Sequence, residues 1–151
     1  MLYKKKTVPD VKRSSIADDM VNLGAVAAAL DQRYRPRARK VLQGRNRTVY
    51  VMGTYVVKVP RNLDGIADND WEGSVRNGAV IGEYSTIYPK HKRLAYWKSI
   101  PVVFMERVVH ASSKQIVKRL GKVPPWVDQI DCGQVGFNRN GTLVAYDYGT
   151  R

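Results

Sequence analysis

Two runs of β-branched and aromatic residues, Thr48-Val49-Tyr50-Val51-Met52 and Tyr55-Val56-Val57-Lys58-Val59, are separated only by Gly53-Thr54. Such side chains suit a pleated backbone, and a two-residue connection folds the chain straight back, so this pattern predicts an antiparallel hairpin. A sheet is therefore expected at the centre of the fold. Two more strands are expected at Arg93 to Ser99 and Val102 to Val108, divided by Ile100-Pro101. A second hairpin is signalled by Gln134 to Phe137 and Thr142 to Tyr146 around Asn138-Arg139-Asn140-Gly141.

Helical signals flank these strands. Ser14 or Ser15 can cap a helix whose first turn holds Asp18 and Asp19, with Ile16, Met20, Leu23, Ala27 and Leu30 as one apolar stripe that packs onto its own domain. Pro36 disfavours helical geometry before it, so Arg33 to Lys40 reads as a basic linker. Between Arg61 and Gly82 the chain is rich in Asn, Asp and Gly, which leaves room for a short helix opening near Asp68 or Asn69 and carrying Trp71, Glu72 and Val75. A further helix is expected from Ser113 to Leu120, closed by Gly121, with Lys118 and Arg119 in its last turn. The expectation is one α+β globular domain: a flexible basic tail at 1–13, an amphipathic helix with basic linker at 14–39, and the body at 40–151.

The formal charge of +13 draws such a chain toward anionic partners. The excess is concentrated early, with twelve basic and four acidic residues from Met1 to Arg47. Lys4, Lys5, Lys6, Arg33, Arg35, Arg37, Arg39 and Lys40 are the expected contacts for an acidic protein or, with Tyr3 and Tyr34, for nucleic acid. No apolar run reaches membrane-spanning length, and one cysteine (Cys132) with two separated histidines (His91, His110) offers neither a disulfide nor a zinc set. A cytoplasmic protein that does not enter membranes is expected.

A glycine-containing strand, a strand ending Val57-Lys58-Val59, an acid on a short helix, two strands leading to Met105-Glu106-Arg107-Val108, and a hairpin ending Asp147-Tyr148-Gly149 follow one another. In this order the chain resembles the protein kinase fold, in which a glycine-rich loop covers ATP phosphates, a strand lysine pairs with a helix glutamate, and an Asp-Phe-Gly aspartate holds magnesium. The resemblance implies a kinase N-lobe-like antiparallel sheet with the helical lobe largely absent. It implies that Gly44 covers the phosphates, Lys58 contacts them and Glu72 or Glu83 pairs with Lys58. Glu106 and Val108 would face adenine, while Asp147 and Gln134 would hold magnesium. Gln134 stands thirteen residues before Asp147 with Gly141 between, the interval the family uses for its metal-binding asparagine.

Departures from the family pattern are equally specific. Leu42 to Tyr50 holds one glycine, with Arg45 and Arg47 as added positive charge, and no His-Arg-Asp triplet exists. The position of the catalytic base falls on Gln129, which cannot accept a proton usefully, leaving Asp128 or Asp131 as substitutes. The sequence ends at Thr150-Arg151, directly after Asp-Tyr-Gly. The expectation is a catalytically impaired kinase-like protein that binds a partner protein and a nucleotide. The alternatives are an active small kinase using Asp128 or Asp131 with ATP and Mg, and a basic nucleic-acid-binding protein. The compact format is similar to small kinase-like accessory proteins of bacteriophages, which implies a host protein as partner and the host cytoplasm as location.

Overall fold

The computed structural model describes residues 16–82, 85–130 and 133–147. The expected basic tail with Tyr3, Lys4, Lys5 and Lys6 lies outside these residues, as do Ser14, Ser15, Glu83, Asp131, Cys132, Tyr148 and Gly149. The chain runs α1 (Ile16–Tyr34), a 3-10 turn (Arg35–Arg37), β1 (Lys40–Gln43), β2 (Arg47–Val51), β3 (Tyr55–Pro60) and α2 (Leu63–Ser74). Then come β4 (Val80–Ile81), β5 (Thr86–Ile87), β6 (Lys92–Trp97), β7 (Ile100–Glu106), β8 (Val109–His110) and α3 (Ser113–Leu120). A second 3-10 turn (Pro125–Gln129), β9 (Val135–Phe137) and β10 (Leu143–Ala145) complete it. The architecture is α+β with antiparallel pairing throughout the described strands.

The central sheet has the order β1-β2-β3-β7-β6. Because successive strand residues face opposite sides, one set of side chains meets α1 and the other meets the C-terminal half. Tyr50, Val57, Val59, Ile100 and Val102 pack with Leu23, Val26, Leu30 and Tyr34 of α1. Val56, Val103 and Met105 pack on the opposite face with Ile116, Trp126, Val135, Phe137 and Leu143. Lys58 lies between Val57 and Val59 in sequence and so shares the face of Val56.

Several elements fall where the residues predict them, including the hairpin of β2 and β3 and the C-terminal hairpin of β9 and β10. Helix α3 spans the expected residues, with Ser112 and Gln115 forming a reciprocal capping box and Gly121 closing it at φ 81°. Other boundaries differ for local reasons. The stripe of α1 passes through Val26 rather than Ala27, and Met20 is 61% exposed. The expected linker is mostly ordered structure: Arg33 and Tyr34 end α1, Pro36 sits inside the 3-10 turn, and Lys40 begins β1.

Helix α2 begins at Leu63, five residues before Asp68, because the Asn62 side chain accepts from the Gly65 amide at 2.8 Å and caps it. The turn between β6 and β7 is Lys98-Ser99, both at positive φ (48° and 64°), so Ile100-Pro101 belongs to β7 instead of separating two strands. Pro101 is tolerated there because the β3–β7 ladder ends at Lys58↔Val103; continuing it would oppose Pro60 to Pro101, neither of which has an amide hydrogen. No helix among the described residues is long and apolar enough to cross a membrane.

Candidate functional site

Strand alternation sends Arg47, Val49 and Val51 of β2, Val56 and Lys58 of β3, and Met105 of β7 toward one cleft of about 540 Å³. The turn Gly44-Arg45-Asn46 bounds it on one side, and Val108, Gln134, Tyr146 and Asp147 on another. The cleft therefore joins an apolar strip to a charged end. Its charged lining comprises Arg45, Arg47, Lys58 and Arg107 against two carboxylates, Asp68 and Asp147.

Helix α2 supplies the buried counter-charge. Ile66, Asn69 and Glu72 follow at three-residue steps on its inward face, while Trp71 points outward. Glu72 is fully buried, and its carboxylate accepts from Lys58 Nζ at 2.9 Å and pairs with Arg47 Nη2 at 2.8 Å. Lys92 from β6 donates to the Glu72 and Val75 carbonyls, holding the last turn of α2 in place. Lys58 also donates to the Tyr146 carbonyl, which ties the sheet to the C-terminal hairpin.

Lys58 is 3% exposed, so it is not a solvent-facing lysine on an alternating strand. Burial depresses its pKa, with the Glu72 carboxylate opposing. For Glu72 burial acts upward, but Lys58 and Arg47 overcome it and hold the carboxyl below its ordinary range. Burial likewise opposes the Arg47 charge, and the carboxylates of Glu72, Asp147 and Asp68 together outweigh it. Stability carried by Glu72 is present above its ordinary pKa of 4.5 and is lost as the pH falls from there through its folded value. Thermal melts taken at decreasing pH should show this acid limb, and it should be shallower in Glu72→Gln.

Arg47 and Asn69 belong to this buried network, and sequence reading placed both differently. Arg47 was expected only as added positive charge at the glycine turn; it is buried, with its guanidinium on Glu72, on Asp147 Oδ1, and on Asn69 Oδ1 at 3.1 Å. The signal was available in β2, since Arg47 shares the parity of Val49 and Val51. Asn69, read as a helix start, lies inside α2 and is fully buried. It donates to the Lys58 and Pro101 carbonyls at 2.9 Å each, where the proline pair ends the ladder.

The Gly44 turn is tight and anchored. Gly44 N donates to the Arg47 carbonyl at 2.9 Å, and Arg61 donates from its amide to the Asn46 carbonyl at 2.7 Å and from its guanidinium to the Gly44 carbonyl. Asn62 donates to Asn46 Oδ1 and to the Arg45 carbonyl, both at 3.2 Å. Asn46 in turn donates to Asp68 at 3.4 Å.

The remaining expected residues divide. Val108 and Gln134 line the cleft, whereas Glu106 does not: its carboxylate accepts from Asn138 Nδ2 and Lys90 N at 3.2 Å each, beside a second cavity. Asp128 and Gln129 are exposed on the second 3-10 turn and are not among the lining residues. Arg33, Arg35, Arg37, Arg39 and Lys40 are exposed near the end of α1. Arg35 pairs with Asp31 at 2.9 Å, and Arg33 and Arg37 lie over the Tyr34 ring.

The expected magnesium set fits this arrangement poorly. Asp147 Oδ1 lies on the Arg47 guanidinium, which puts a fixed positive charge where a metal between Asp147 and Gln134 would need none. No protein-family profile, curated protein or solved structure matches the chain.

Proposed function

We propose that this chain is a kinase-like binding protein without phosphotransfer activity, taking a nucleotide in the cleft and an acidic partner protein on its exposed arginines. The observation that carries the reading is the convergence of the buried Lys58–Glu72 pair, Asp147 and the Gly44 turn on one cleft. The apolar strip of Val49, Val51, Val56, Met105 and Val108 suits a flat base, and the cationic end suits phosphates. Phosphotransfer is disfavoured because Gln129 stands at the base position and Asp128 is exposed away from the cleft lining. Arg33, Arg35, Arg37 and Arg39 form the basic group that an acidic host protein would meet, and the host cytoplasm is the location this reading implies.

ATP should raise the melting temperature of the protein, by an amount that grows with ligand concentration. Lys58→Met keeps the volume of the side chain and should melt with little response to ATP, whatever its own midpoint. A parent protein whose melting is indifferent to ATP, in magnesium and in EDTA alike, would remove nucleotide from the proposal.

A further inference from the structure

In a site that binds polyphosphate through a metal, the carboxylate must face the metal. Here Asp147 faces a guanidinium. Arg47 reaches it from β2 while also holding Glu72 through the same Nη2 and Asn69 through Nη1. The cation is fixed on three sides: the carboxylates bracket one nitrogen, and the Asn69 oxygen, itself oriented by two backbone carbonyls, sets the other. A guanidinium keeps its charge at any physiological pH, and it offers planar, directional donors suited to phosphate oxygens. Arg47 and Lys58 both border the cleft, with Arg45 exposed at its rim.

We infer that Arg47 takes the place of a divalent cation beside Asp147, so that the cleft binds a nucleoside polyphosphate without magnesium. This rests on the nucleotide reading above and specifies its mode. The phosphate chain would be met by Arg47, Lys58 and Arg45, with Asp147 acting as the counter-charge that orients Arg47. Asp147 gives Oδ1 to Arg47, so a metal on that carboxylate would be left Oδ2 alone, beside a fixed guanidinium that repels it.

The test is calorimetric titration of ATP into the full chain, in EDTA and in magnesium. Equal affinity in the two buffers is the expected result. Binding that is about tenfold or more weaker in EDTA would overturn the inference while leaving nucleotide binding intact. Binding in neither buffer would remove the parent reading and this inference with it. Arg47→Met should lose roughly tenfold or more of the EDTA-resistant affinity, the worth of a charge-assisted hydrogen bond, and regain part of it when magnesium is added. Arg47→Lys keeps a charge in the buried site and should retain more of the EDTA-resistant affinity than Arg47→Met. An Arg47→Met protein that is folded and binds ATP in EDTA as the parent does would also overturn the inference. If that variant does not fold, the parent comparison alone decides.

Discussion

Glu72→Gln is expected to destabilise the fold by about 3–5 kcal/mol, the range for breaking a buried ion pair by removing one partner. The substitution keeps the shape of the side chain and removes the charge, so the loss is electrostatic rather than a cavity. Lys58 and Arg47 are then left together in a space from which water is largely excluded. Lys58 can lose its proton to relieve this, but Arg47 cannot. At a typical slope for a small protein, the urea midpoint should fall by about 2 M. A midpoint indistinguishable from the parent would mean that Asp147, which is 41% exposed, suffices to balance both cations.

Gly65→Ala should be the second damaging change, by about 2 kcal/mol or more. Alanine normally improves a helix interior by nearly 1 kcal/mol, so the sign here runs against propensity. A Cβ at this position would stand 2.1 Å from the Asn46 carbonyl oxygen and 3.2 Å from Pro60 Cα, both backbone atoms with no rotamer to escape through. Gly24 in α1 is the matched control, because a Cβ there meets nothing within 4 Å. Gly24→Ala should be neutral or mildly stabilising in the same denaturation experiment. If both alanines behaved alike, close packing of α2 on the Gly44 turn would be refuted.

What could be read from residues alone was whatever is encoded locally. The β2–β3 hairpin announces itself through side-chain type and loop length, and α3 through a capping serine at one end and glycine at the other. The pairing of Lys58 came only from the kinase resemblance, which left Glu72 and Glu83 as alternatives; the packing of α2 on the sheet selects Glu72. The start of α2 was hidden by its composition: Asn62 looks like one more loop residue until the Gly65 amide is seen to bond to it. The Lys98-Ser99 turn was hidden because neither residue usually adopts positive φ.

Arg47 illustrates a different difficulty. Its direction follows from strand parity, but its partners come from α2 and from the C-terminal hairpin, a hundred residues away in the case of Asp147. Asn69 has even less of a local signature. Its importance arises where two prolines meet across strands, a coincidence of register that composition does not reveal.

The anchoring of the Gly44 turn has a mechanical consequence. Arg61 and Asn62 bolt the tip of that turn to the entrance of α2, and Gly65 lets the two surfaces touch. Tip and helix are tied along this seam, so displacing the tip would load α2 at its entrance, while Glu72 sits near its other end. The edge of the cleft and the Lys58–Glu72 pair thus hang on one helix.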